Sequence, residues 1–249
     1  MSNILHLSAD ASHTVYSKQY QTHYHSIHGA IQESQHVFIN CGLGYFLEQF
    51  VLSKEQPVIR IFEMGFGTGL NAFLTFIALL EQQKQNTLKK KPPLTIFYET
   101  VEAHPLPLHV TAQLNYANFY KEVVPNAPTF FSQLHSCPSN KWQTLTIPTE
   151  TGVHFNLFKH HATLQQVLPS LPRNHYNLIY FDAFDPNAQP ELWHPYVFEA
   201  LYTATAPQGV FTTYCVKGVV RRALQCAGWH TQKLPGPPGK RQILRAIKN

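Results

Sequence analysis

The sequence predicts an α/β protein whose core is a mostly parallel sheet with helices on both faces. Three observations predict it. From about residue 57 onward, short runs rich in β-branched and aromatic residues alternate with longer helical stretches, the rhythm of strand–helix–strand units. Two of those runs, Val58–Glu63 and Asn177–Asp182, are nearly continuous in apolar residues, as strands buried on both faces are. The first of them leads directly into the turn Gly65-Phe66-Gly67-Thr68-Gly69 and an apolar helical stretch, a strand–turn–helix unit. With 249 residues, 44% hydrophobic and only 13% charged, the chain suffices for one large domain with a full core, and disorder is excluded.

The elements follow in order. After the strand Val58–Glu63 comes a helix over Asn71–Gln85, then a break at Lys89-Lys90-Lys91-Pro92-Pro93, read as a solvated loop. A second strand covers Leu94–Tyr98 and a helix Pro105–Asn118, while residues 121–139, rich in Pro and Ser, read as irregular. Trp142–Ile147 and Val153–Phe158 flank the turn-like Pro148–Gly152 and predict a hairpin. The strand Asn177–Asp182 precedes a helix over Pro190–Ala204, a strand Val210–Cys215 and a helix Lys217–Ala227. Trp229–Leu234 and Gln242–Ile247, joined by Pro235–Gly239 without a helix, allow an antiparallel edge. Residues 1–50 lack this rhythm and read as an N-terminal extension, rich in Tyr, His and Gln, packed on a catalytic domain over 51–249.

The net charge of +5 is compatible with a polyanionic partner such as RNA. Cys41, Cys137, Cys215 and Cys226 form no CxxC pair, so neither a zinc knuckle nor a disulfide framework is expected. The N-terminus lacks a signal-peptide pattern, and the longest apolar stretch, Ala72–Leu80, is too short to span a bilayer; a soluble, cytoplasmic protein is expected. His23, His25 and His28 invite a metal reading, but no carboxylate or thiol stands at helical spacing, so polar packing and no metal are expected.

A glycine-rich turn at a strand's carboxyl end lets a ligand approach backbone amides closely. Its third glycine falls one residue too early for Gly-x-Gly-x-x-Gly, and Glu63 before it sits badly with a pyrophosphate. A carboxylate there suits the amino or sulfonium side of S-adenosylmethionine, which is therefore the expected cofactor in preference to a dinucleotide. Glu102, just past the second strand, is the expected ribose acid, with Glu99, facing the other way, as the alternative. Asp182 ends a strand at the switch region of the sheet, where it could orient an amine acceptor and take its proton; capping the following turn is its other reading. Phe184 could stack on a base or simply pack.

Several blocks together resemble one family. Glu63-Met64-Gly65-Phe66-Gly67-Thr68-Gly69-Leu70-Asn71 is similar to the signature of the tRNA 5-methylaminomethyl-2-thiouridine methyltransferases, found as the methyltransferase half of MnmC and as the stand-alone MnmD. So are Asp182-Ala183-Phe184-Asp185-Pro186 with Pro190-Glu191-Leu192-Trp193, the C-terminal runs Pro207–Val210, Val219–Leu224, Ala227–Trp229 and Gly239-Lys240-Arg241, and the lead-in Tyr24-His25-Ser26, Glu33-Ser34 and Val37-Phe38-Ile39. The resemblance spans nearly the whole chain, with gaps at residues 84–93 and 120–150.

It implies a class I S-adenosylmethionine-dependent methyltransferase fold, Rossmann-like, with a mostly parallel seven-stranded sheet and an antiparallel edge strand. It implies methylation of the 5-aminomethyl group of wobble uridine 34 in the anticodon loop of tRNA. Glu63, Gly65, Phe66, Gly67, Thr68, Gly69 and Asn71 then fall in the donor loop, Glu102 at the ribose and Asp182 at the catalytic acid, with Tyr24, Ser26 and Glu33 near the donor or the uridine. Arg221, Arg222, Lys233, Lys240, Arg241 and Arg245 are the candidate phosphate contacts. One departure stands out: Lys159-His160-His161 occupies the place where this fold often has Gly-Asp for the adenine amino group. No oxidase domain is expected after Asn249, so the chain would perform only the methylation, as a monomer. The rival readings are a methyltransferase of small-molecule amines and a non-catalytic RNA-binding module.

Overall fold

The computed structural model describes residues 4–50, 58–88, 94–145 and 153–249. The lysine run 89–91 with Pro92 and Pro93, and the turn at 148–152, lie outside the described residues. The lead-in begins with a small antiparallel sheet of β1 (Ile4–Leu7), β2 (His13–Ser17) and β3 (Thr22–His23). It continues through α1 (Ala30–Ser34), a wide helical turn over Gln35–Gly44 and α2 (Tyr45–Phe50). The wide turn closes on i→i+5 hydrogen bonds, as where the Tyr45 amide donates to the Asn40 carbonyl. No sequence period announced it.

The main sheet contains β4 (Val58–Met64), β5 (Thr95–Val101), β6 (Gln143–Leu145), β7 (His154–His160), β8 (Tyr176–Phe181), β9 (Thr205–Thr213), β10 (His230–Pro235) and β11 (Gln242–Ile247). Their order is β10-β11-β9-β8-β4-β5-β7-β6. The five strands from β9 to β7 run parallel, while β10, β11 and β6 are antiparallel to their neighbours. The sheet has eight strands where the family resemblance implied seven, because the three-residue β6 extends the far edge beside β7. The chain builds outward from β4 on one side through β5 and β7, then returns to add β8 and β9 on the other. That reversal opens a crevice at the carboxyl ends of β4 and β8.

Alternation along the strands fills both faces. Ile59 and Ile61 of β4 pack with α3 (Leu70–Leu88), α5 (Ala127–Ser136) and the lead-in, including Val37, Phe38 and Leu43. Phe62 and Met64 face α6 (Leu164–Val167), α7 (Pro195–Ala204) and α8 (Gly218–Cys226). The helix expected over Pro105–Asn118 is reduced to α4 (Leu108–Thr111) and a short 3₁₀ turn, because Pro107 holds an extended conformation and delays the start. Residues 121–139 are not irregular throughout. Ala127, Phe130, Phe131 and Leu134, spaced i, i+3, i+4 and i+7, bury one side of α5, with Pro128 tolerated in the first turn. The helix expected over Pro190–Ala204 is split into a 3₁₀ turn and α7 because His194, before Pro195, is extended. No helix among the described residues is long and apolar enough to cross a membrane.

Candidate active site

The ends of three strands are laced together where the glycine turn leaves β4. The Gly65 amide donates to the Val101 carbonyl at 3.1 Å, and the Asp182 amide donates to the Met64 carbonyl at 3.0 Å. Gly65 has φ +88°, and a Cβ there would fall 2.7 Å from the Asp182 carbonyl oxygen, so only glycine lets β4 and β8 approach this closely. At Gly67, φ +48°, a Cβ would meet the Tyr24 ring at 2.9 Å. The Gly67 amide donates to Glu102 Oε2 at 3.0 Å, and the His104 amide holds Glu102 Oε1 at 2.8 Å. Glu102 is thus fixed at the turn by both oxygens. Glu99 instead is held on the other side of the sheet by His160 Nε2 and the Tyr176 hydroxyl, both at 2.6 Å.

Two histidines hold the turn from behind. His25 Nε2 lies 2.6 Å from Thr68 Oγ1, and His135 Nε2 lies 3.1 Å from the Thr68 carbonyl. Burial lowers both rings to about 4, so both are neutral at pH 7, and His135 donates to the carbonyl.

A cleft opens in front of the turn, enclosing about 820 Å³ of space that is continuous with solvent. The lining includes Gly65, Phe66, Gly67 and Glu102, the apolar Ala162, Leu164 and Leu192, and the aromatic Tyr20, Tyr24 and Phe184. Tyr20 and Phe184 rings pack 4.6 Å apart, and Tyr24 meets Phe184 edge-on at 4.9 Å. A second cleft adjoins the first, lined by Ser26, Glu33, Asp185, Tyr214 and Lys240. Tyr24, Asp182 and Phe184 belong to both.

Asp182 therefore stands at the junction. Its Oδ2 accepts from Asn71 Nδ2 of α3 at 2.8 Å. Enclosure raises its carboxyl to about 7, reinforced by the Glu33 carboxylate and opposed by Asn71 and Lys240. A carboxylate with that affinity can exchange a proton near neutral pH. Lys240 makes an ion pair with Glu33 Oε1, and its Nζ lies 4.0 Å above the centre of the Tyr214 ring. Glu33 Oε2 also accepts from the Ser26 amide at 2.9 Å.

Residues 127–249 match a family described as S-adenosyl-L-methionine-dependent methyltransferase. Among curated relatives, the "tRNA 5-methylaminomethyl-2-thiouridine biosynthesis bifunctional protein MnmC" of Burkholderia mallei (strain SAVP1) is 32% identical over 248 residues, covering 93% of this chain and 33% of the relative. Residues 127–249 are thus similar to the S-adenosyl-L-methionine-dependent methyltransferases. MnmC of Haemophilus ducreyi is 28% identical over 249 residues, covering 96% of the chain and 34% of the relative. The chain thus spans about a third of the length of the curated relatives it matches. The crystal structure of MNMC2 from Aquifex aeolicus superposes with a TM-score of 0.66 at 21% identity, over 98% of this chain and 70% of that one, a likeness of fold. The rival small-molecule reading finds no favour among these relatives.

The methyltransferase cofactor fits the first cleft: a glycine turn with no room for side chains, a carboxylate fixed beside it, and an apolar wall. The residues expected to hold it do not all reach that space. Glu63 shares the face of Ile59 and Ile61, so alternation turns it under α3, fully buried, and it does not line the cleft. Burial pushes the Glu63 carboxyl well above the ordinary range. Thr68, Gly69 and Asn71 do not line the cleft either: Thr68 meets His25 and His135, and Asn71 meets Asp182.

His160 is taken up by Glu99, and the chain presents Ala162–Gln165 to the cleft in place of the usual Asp. Arg221, Arg222 and Arg241 line neither cleft, and Lys233 is exposed. Arg245 stacks 3.6 Å over Tyr45 and donates to Gln232 and the Cys41 carbonyl. His23 pairs with His6, and His28 packs on Gly239, so with His25 on Thr68 the three histidines point to different partners. Sequence reasoning missed Tyr20, Gln189 and Leu164 in the cleft, and Tyr214. Only Tyr20 had a signal, an aromatic residue in the turn before Tyr24.

Proposed function

We propose that the chain methylates the amino group of a 5-aminomethyl uridine at the wobble position of tRNA, using S-adenosylmethionine. The observation that carries the proposal is the position of Asp182 at the junction of two clefts, with the glycine turn and Glu102 on one side and Glu33, Tyr214 and Lys240 on the other. The tRNA thiouridine pathway in the relatives' names supports the choice of acceptor.

When bound, S-adenosylmethionine supplies an electrophilic methyl group. The Gly65–Gly69 turn and Glu102 would hold it, with Leu164 and Ala162 against its base. The chain's own residues do the rest. Asn71 fixes one oxygen of Asp182, leaving the other to accept a proton from the incoming ammonium and expose the lone pair that attacks. Tyr20, Tyr24 and Phe184 narrow the mouth, offering faces on which an unpaired base can stack and limiting water. A wobble base lies in a single-stranded loop, so entering such a pocket requires no duplex to open. Tyr20, Tyr24 and Glu33 all come from the lead-in, which supports reading residues 1–50 as an extension that completes a methyltransferase domain over 51–249. Arg221, Arg222 and Arg241 are offered as phosphate contacts outside the pocket. The reading also takes the protein to be a cytoplasmic monomer.

Incubation with methyl-labelled S-adenosylmethionine and tRNA carrying 5-aminomethyluridine tests the proposal. Label is expected in the wobble uridine with the wild type and none with Asp182→Ala. Unlabelled tRNA with the wild type would overturn the substrate; equal labelling by the variant would remove Asp182 from the chemistry.

A further inference from the structure

The second cleft holds a charged arrangement that binding of a phosphate does not explain. Lys240 sits on the loop between β10 and β11, at the end of a Pro/Gly-rich turn whose Gly239 leaves no room for a Cβ against His28. Docking of that loop on the lead-in carries the ammonium inward, where it meets Glu33 and the face of Tyr214. The Tyr214 hydroxyl in turn donates to the Ala183 carbonyl at 2.8 Å, tying the clamp to the backbone next to Asp182.

We propose that Lys240 is a positioning residue: by neutralising Glu33 it leaves Asp182 as the carboxylate free to meet an incoming amine. The inference rests on the amine-acceptor reading above and deepens it.

The groups facing Asp182 make the case by elimination. Tyr98 from β5 and Tyr214 beyond β9 are each held uncharged by burial, which also raises the Glu63 carboxyl of β4. His25 from the lead-in is neutral, Asn71 of α3 carries no charge, and Asp185 is paired with Lys217 at 2.6 Å. Glu33 and Lys240 remain as the charges that govern the aspartate, and they oppose each other. Without Lys240, Glu33 would stand uncompensated in the same cleft, Asp182 would hold its proton to higher pH, and Glu33 would compete for the substrate ammonium.

The test reads the aspartate directly. The full chain, labelled with ¹³Cγ-aspartate and free of cofactor and tRNA, is titrated by NMR, with Asp182→Asn assigning the resonance. In Lys240→Met the Asp182 midpoint is expected to rise by about one pH unit, since an opposing charge is lost and Glu33 is left uncompensated. In Glu33→Gln it should fall; in the double variant it should return near the wild type; Lys240→Arg should keep it there. The acid limb of the methylation rate should move the same way. A midpoint unmoved in Lys240→Met, or unmoved in Glu33→Gln should the first variant fail to fold, would overturn the proposal. If wild-type protein methylates no tRNA while the midpoints still move, the substrate reading fails and the charge arrangement stands.

Discussion

Asp182→Asn is expected to abolish methyl transfer and yet make the fold more stable, increasingly so as pH rises. The carboxyl is raised from an ordinary 3.8 to about 7 in the folded protein. Because the folded value exceeds the unfolded one, ionising Asp182 costs folding free energy. The cost is absent below the unfolded value, grows as pH rises between the two, and levels off above about 7. At ~1.36 kcal/mol per unit the whole difference is about 4 kcal/mol. One edge of the carboxyl faces the cleft, where water screens it, so about 2 kcal/mol is the more realistic size. Asn preserves the volume and an oxygen to accept from Asn71, so little packing is lost. Urea unfolding of both proteins at pH 5 and pH 8 measures the effect. The variant's advantage should be about 1 kcal/mol larger at pH 8. An advantage that does not change with pH, or that shrinks toward pH 8, would refute the claim that enclosure disfavours the ionised carboxylate.

Other consequences follow from the turn and its surroundings. Gly65→Ala places a Cβ against the Asp182 carbonyl at φ +88°; a cost of about 1–3 kcal/mol should lower the melting temperature by roughly 2–10 °C and weaken cofactor binding, as scanning calorimetry and titration calorimetry would show. Glu63→Gln, replacing a fully buried carboxyl outside the cleft lining by its near isostere, should leave cofactor affinity within about twofold; a loss of tenfold, ~1.4 kcal/mol, would show that the Glu63 carboxyl contacts the ligand after all. Arg222→Ala should weaken tRNA binding and reduce the slope of log affinity against log salt by about one, and an unchanged slope would remove that side chain from the RNA footprint.

The strands were readable because burial on two faces writes itself as continuous apolar runs, and Val58–Glu63 and Asn177–Asp182 fall on β4 and β8 with an error of a residue or two. α5 was not readable, since Pro and Ser obscure a helix whose apolar side is stabilised by packing on distant residues such as Phe73 and Phe76. The wide turn at Gln35–Gly44 was invisible for a related reason: it is held where the sheet and α3 meet it, by contacts distant in sequence.

The sequence by itself determined the strand–helix alternation, the glycine turn with its short spacing, and Asp182 and Glu102 at strand ends, because each is a local pattern of polarity or backbone freedom. What faces the ligand was decided only by the tertiary structure. Alternation along β4 hides Glu63 although it adjoins the turn, whereas the crossing of the lead-in over the sheet brings Tyr20, Tyr24 and Glu33 to Asp182 from well over a hundred residues away. Lys240 shows the same division. Its positive charge is plain in the sequence, but whether that charge meets a phosphate or a carboxylate depends on which way a docked loop points it.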